Sequence, residues 1–307
     1  MASASGVSLV NEVTSVSTPP ATPSRKRHGG LLAGIAAVTA FGVVVTFFLS
    51  YVLAFSNLEE HRSQSQLYAT MRGLLDPASP VAPEIGGPIP AGSPVAVMNI
   101  PALEVSRMII VEGTRSGDLA NGPGHQRNSP LPGQVGQSIV MGKSVSSGAP
   151  FASLSRLHVG NAIDVTTGQG TFHFVVEGVR RAGSALPIIP KNNSLLTLIS
   201  TTGTQLFGSD AAAHLLYVDA ALRGTPVATP PHAPRIIGSA EIQGHGDSGA
   251  WPDVIVWLAA VVAATIGVVV LARRWGVART WVVATPVVLL VLWMLSGALL
   301  RLLPNVY

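Results

Sequence analysis

The chain has 307 residues, of which 48% are hydrophobic and only 11% charged, and it contains no cysteine. That balance is too apolar for an ordinary soluble protein and predicts membrane spans, while the missing Cys excludes disulfides, thiolate metal sites and a thiol nucleophile. The formal net charge is +4, but residues 56–250 carry 12 Lys+Arg against 13 Asp+Glu, so the basic excess flanks the apolar runs and reads as membrane topology, not as a nucleic-acid footprint.

Residues 1–24 are mostly Ser, Thr, Ala and Pro, too poor in apolar surface to order themselves, and 1–30 is expected to be a disordered cytoplasmic tail. Arg25-Lys26-Arg27-His28 precedes 25 uncharged residues at 31–55, enough to cross about 30 Å of hydrocarbon with some tilt. The basic cluster places the N-terminus in the cytoplasm. A cleaved signal peptide is the competing reading, but its apolar core is normally only about 7–15 residues.

Residues 56–94 are expected to form a helical stalk followed by a spacer. Leu67, Met71 and Leu74–Leu75 fall at helical spacing, and the six prolines within 76–94 favour extended chain. From 95 to 222 the pattern changes to short strands with Gly, Pro and Asn turns, predicted at 95–100, 105–112, 138–141, 162–166, 171–179, 195–200 and 214–219. Phe172, Phe174 and Val176 alternate with His173, Val175 and Glu177, as a strand with unlike faces requires. Seven such strands predict a small all-β barrel or sandwich, with single helical turns near 117–121 and 150–157.

Residues 223–250 are again rich in Pro and Gly and are expected to be a second spacer. Apolar runs at 254–272 and 281–300 flank 273–280, which holds three arginines. The positive-inside rule puts that short loop in the cytoplasm. The expected protein is therefore multi-pass, with three spans, a cytoplasmic N-terminus and an extracellular β domain and C-terminus. The last two runs carry no charge before Arg273, and intramembrane ionisable groups mark ion or substrate paths, so anchoring is their expected role.

Several blocks of the β region stand in a recognisable order: IPAL at 100–103, VEGT at 111–114, DLANGPGH at 118–125, LPGQVG at 131–136, GAPF at 148–151 and LTLIST at 196–201. In this order they resemble the sortase family, the cysteine transpeptidases of Gram-positive cell surfaces, and particularly the actinobacterial class C and class E types. The resemblance implies a mainly β fold, a closed eight-stranded barrel, beside the three transmembrane helices. It also implies three catalytic positions. The family's catalytic His falls on Lys143, its Cys on Thr201 and its Arg on His214. His125, in GPGH, matches a family histidine that is not catalytic, and is expected to be a turn residue bonded to nearby backbone.

All three catalytic positions are thus replaced, and no catalytic residue is expected. A thiol with a pKa of about 8.5 supplies some thiolate at neutral pH, whereas a Thr hydroxyl is essentially never ionised. Loss of a nucleophile or base alone costs about 10⁶-fold in a hydrolase triad. A lysine following a strand into a polar loop is expected in solvent, as a cation unable to accept a proton. The expected function is a binding or assembly module of the cell envelope, its partner a sorting-signal-like peptide or another envelope protein. The alternative is an enzyme using Lys143 and Thr201 as a Lys-activated hydroxyl pair, which requires Lys143 to be buried with a depressed pKa. There is no phosphate loop, zinc spacing or pair of carboxylates, so no cofactor or metal is expected, and no nucleic acid.

Overall fold

The computed structural model describes residues 27–75, 89–188, 191–202, 214–230 and 236–306. The tail at 1–24 and residues 76–88 of the Pro-rich spacer lie outside the described residues. The chain divides after Val43 into two compact units. In the first, the described residues belong to helix α1 (Arg27–Ser50), which begins inside the stretch assigned to the tail. The second holds the rest of α1 and everything that follows.

Eight strands form a closed barrel: β1 (Pro94–Ile100), β2 (Val105–Glu112), β3 (Gly124–His125), β4 (Gly136–Met141), β5 (Ala162–Thr167), β6 (Gly170–Arg181), β7 (Ser194–Thr201) and β8 (Leu215–Leu222). Their order around the barrel is β1-β2-β3-β4-β7-β8-β6-β5. Neighbours are antiparallel except β2–β3 and β4–β7, which run parallel. Seven of the strands are those expected. The eighth, β3, has only two residues, too short to show any periodicity, yet it joins β2 to β4. The expected helical turns are 3₁₀ turns at Asp118–Ala120 and Leu154–Arg156.

Alternation along the strands sends one set of side chains inward. Met98, Ile110, Val140, Phe174, Leu196, Leu198 and Val218 fill the interior. The other face of β4, β7 and β8 carries a second apolar cluster, with Met141, Ile199 and Leu215. β7 is buried along its whole length, its polar members Ser194, Thr197, Ser200 and Thr201 included.

A π-helical turn, Tyr51–Phe55, joins α1 to α2 (Ser56–Leu75). α2 is not a stalk standing clear of the barrel. Its Met71 packs on Val97 and Ile109. Its Gln64 side chain accepts from the Ile109 amide (2.8 Å) and donates to the carbonyls of Ile109 (3.1 Å) and Asn121 (2.7 Å).

Helices α3 (Trp251–Trp275) and α4 (Val277–Leu302) form a hairpin about Gly276, whose φ of 83° suits a residue without Cβ. Asp253 and Arg301 pair at 2.8 Å across its barrel-side end. Among the described residues three helical stretches, Phe41–Leu75, Ser248–Trp275 and Val277–Leu302, are long and apolar enough to cross a membrane. Together with the barrel they fit a membrane protein.

The expected second spacer is also tied down where it is described. Val227 bridges Gln134, and Thr229 Oγ1 donates to the Val135 carbonyl (2.7 Å). Glu241 is buried, and its carboxylate takes Arg127 and Arg115. Pro and Gly content signals the lack of regular structure correctly, but it is blind to docking made by single side chains.

Candidate functional site

The site lies at the end of the barrel where β4, β7 and β8 meet. β4 and β7 are parallel with Met141 opposite Ile199, so the residues leaving β4 emerge beside the end of β7. The Gly142 amide donates to the Ile199 carbonyl (3.0 Å), and Ser200 Oγ donates to the Gly142 carbonyl (3.0 Å). β8 runs antiparallel to β7 with Leu215 opposite Thr201, and the Thr202 amide donates to the His214 carbonyl (2.8 Å). The register thus brings Lys143, Thr201 and His214 to one end of three adjacent strands.

The GAPF block has a physical role here. A Cβ on Gly142 would lie 2.4 Å from the Phe151 ring, and the Phe151 amide donates to the Lys143 carbonyl (3.0 Å). Ser147, Gly148 and Ala149 all have positive φ, a turn held from outside by α2. Ser56 Oγ accepts from the Ser147 amide (3.1 Å) and Asn57 Oδ1 from the Gly148 amide (2.8 Å). Glu60 lies against Gly148 and is itself buried.

Lys143 is not a solvated loop cation. It is 1% exposed, and its Nζ donates to Ser116 Oγ over a long 3.4 Å. Burial disfavours the charged form and lowers the pKa to about 7. The Ser116 hydroxyl in turn donates to the Leu300 carbonyl in the last turn of α4 (3.2 Å). A polar loop composition suggested solvent, but α2 and the end of α4 close over this loop, and neither is adjacent to it in sequence.

Thr201 is buried too. Its Oγ1 lies 2.5 Å from Ser144 Oγ and 3.3 Å from the Val306 carbonyl, so it is engaged away from the Lys143 amine. His214 lies on the surface just before β8, not within a strand. Its carbonyl, which also accepts from Thr202 Oγ1 (3.2 Å), ties it to the end of β7. The three side chains therefore share a barrel end without forming one hydrogen-bonded set.

His125 departs from expectation. It belongs to β3, is buried, and its ring reaches a buried carboxylate as well as backbone: Nδ1 is 2.8 Å from Glu112 Oε2 and Nε2 is 3.0 Å from the Pro130 carbonyl. Ser129 Oγ stands 3.1 Å from the same Nε2. That hydroxyl is already spoken for, donating to the Gln126 carbonyl (2.8 Å) and accepting from the Ile139 amide (3.1 Å). The group fastens the β3–β4 connection. It was missed because Glu112 and His125 meet through the two-residue strand.

The outer face of the same strands continues into a polar network. Gln137 Nε2 donates to Thr197 Oγ1 (2.8 Å), Thr197 donates to Asp219 (2.7 Å), and Arg180 pairs with Asp219 (2.6 Å) while lying 4.2 Å over the Tyr217 ring. Among the described residues no group of three or more His, Asp or Glu is placed to hold a metal.

Fold and site together define a closed β-barrel attached to apolar helices, with a buried amine and two hydroxyls at the strand ends. Residues 98–220 match the sortase domain family model, so this part of the chain is a sortase-like domain, with no cysteine anywhere in the sequence. Similar solved structures include the sortase D5 transpeptidase of Clostridium perfringens, 20% identical, covering 53% of this chain and 99% of that one with a TM-score of 0.44. Sortase E from Streptomyces avermitilis is 28% identical, with 44% and 91% covered and a TM-score of 0.37. Sortase C-1 from Actinomyces oris is 22% identical, with 54% and 99% covered and a TM-score of 0.37. No curated protein matches the chain.

Proposed function

We propose that this chain is a membrane-anchored sortase-family domain without turnover, serving cell-envelope peptide binding or protein assembly. One observation carries the reading. The Thr201 hydroxyl, which the sequence resemblance sets at the nucleophile's position, is bonded to Ser144 and to the Val306 carbonyl instead of to a base. A hydroxyl so engaged, with no thiolate available, supports recognition without bond cleavage. Lys143 and His214 occupy the positions matched to the family His and Arg, and the partner is a sorting-signal-like peptide or another envelope protein.

The orientation follows the charge pattern: N-terminus cytoplasmic, barrel and the segment after α4 extracellular. In support, Asp247 and Asp253 near the start of α3 both pair with Arg301 near the end of α4, so the α3–α4 turn with its arginines is at the opposite end from the barrel.

A second reading is favoured by the burial of Lys143. An amine with a pKa of about 7 is partly neutral at physiological pH and meets one requirement of a Lys-activated hydroxyl. The hydroxyl it reaches is that of Ser116, however, which is itself buried and donates to Leu300. The test is incubation of the purified full chain in detergent with an LPxTG-type peptide and an amine acceptor. Neither hydrolysis nor transfer is expected. Turnover that disappears in Lys143→Ala would establish the second reading instead.

A further inference from the structure

Helix α4 ends at Leu302, and Pro304 prevents its continuation. The chain then turns back onto the barrel. The Val306 side chain is completely buried, in one cluster with Leu119, Met141, Ile199 and Leu215. Its carbonyl faces the ends of β4 and β7: the Ser144 amide lies 3.2 Å away, and Ser144 Oγ and Thr201 Oγ1 each 3.3 Å. Each hydroxyl has one proton, so one of the pair donates to its neighbour and the other to the carbonyl.

Asn305 fixes the register. Its amide donates to the His245 carbonyl (2.9 Å), and its Nδ2 donates to the carbonyls of Thr114 (2.7 Å) and Ile242 (3.1 Å). Its Oδ1 accepts from the Gly244 amide (2.9 Å). An apolar slot for one aliphatic side chain, donors aimed at one peptide carbonyl and a cradle for one amide side chain are together how a groove holds an extended peptide.

We propose that residues 303–306 are a built-in occupant of this groove, and that the groove accepts in trans an extended segment with an Asn-aliphatic pair once its own segment is released. The contacts belong to short side chains and single backbone groups, not to a strand ladder, so the segment is exchangeable without opening the barrel. The inference rests on the barrel being a binding module, and it names the occupant of that module. Release is coupled to the hairpin, because the segment follows directly from α4, whose last turn also receives the Ser116 hydroxyl.

The lack of native cysteine permits a direct test. Thr201→Cys in the full chain, held in detergent micelles, places one thiol beneath the Val306 carbonyl, and its rate of maleimide labelling reports cover. Labelling is expected to be slow in the otherwise unaltered chain. It should quicken at least about tenfold when Asn305→Ala and Val306→Asp are added, and by a smaller factor with Val306→Ala alone. A synthetic peptide of residues 301–307 should restore protection to the released variant, and the same peptide with Val306→Asp should not. A Val140→Cys thiol in the barrel interior should stay unlabelled throughout. Rapid labelling of Thr201→Cys in the otherwise unaltered chain, no restoration by the peptide, or equal labelling at both thiols would each overturn the occupancy. Hydrolysis of the same peptide by the native chain, with Thr201 in place, would overturn the reading without turnover and leave the occupancy standing.

Discussion

The Lys143 amine stands 3.4 Å from Ser116 Oγ, and the Ser116 hydroxyl donates a hydrogen bond to the Leu300 carbonyl at 3.2 Å. A side chain from the end of β4 is thereby linked through one hydroxyl to the last turn of α4. The negative end of the helix favours a cation there, but the water lost on burial outweighs it and the pKa falls to about 7. Where the sortase resemblance sets a catalytic histidine, this chain has a junction between its barrel and the α3–α4 hairpin.

That junction predicts a pH dependence of stability. The pKa of Lys143 is lower folded than unfolded, so between about pH 7 and pH 10 the unfolded state binds the extra proton and stability rises with pH. Below about pH 7 both states are protonated and the full cost of the buried charge is present. Lys143→Met should remove this slope and stabilise the full chain at pH 7 by on the order of a few kcal/mol. Thermal unfolding in detergent across pH 6–10 is the measurement. Parallel curves for the two proteins would show that the amine is not desolvated.

Gly142 predicts an overpacking effect. A methyl group there meets the Phe151 ring at 2.4 Å, and a planar ring held in a filled core has little room to retreat. Gly142→Ala should cost about 1–3 kcal/mol. Phe151→Leu, which is destabilising alone, should recover part of that loss when the two are combined. Strict additivity in the double-mutant cycle would mean that the two residues do not meet.

Gln64 predicts that α2 is fastened to the barrel. Gln64→Leu leaves the Ile109 amide and the carbonyls of Ile109 and Asn121 without that side-chain partner. Their part-buried position sets the expected loss at about 1 kcal/mol, toward the low end for groups left unsatisfied. Limited proteolysis should then cut α2 faster than the strands. An unchanged melting temperature and cleavage pattern would return α2 to the role of a free stalk.

Glu241 predicts that the second spacer is structural. Its buried carboxylate receives Arg127 and, at 3.4 Å, Arg115. Glu241→Gln keeps the shape but removes the charge. Since both arginines retain access to water, the loss should be about 1–3 kcal/mol, below that for a fully buried pair. Proteolysis within 236–250 should become faster in the variant, and equal rates would argue against docking.

Much of this protein is determined by local pattern. Alternation at Phe172, Phe174 and Val176, the apolar runs and the flanking arginines each act within a few residues, and that is the range over which side-chain periodicity and hydropathy carry information. The absence of Cys is likewise complete in the sequence. Burial of Lys143, the carboxylate partner of His125 and the position of Val306 were decided by tertiary structure alone. The first and last depend on groups far apart in the chain, brought together by the β4–β7 register and by the return of the chain from α4, whereas Glu112 and His125, 13 residues apart, meet through a strand too short to show a period. A lysine's pKa and a threonine's partners follow from what covers them, and the covering elements here are separated from them by scores of residues.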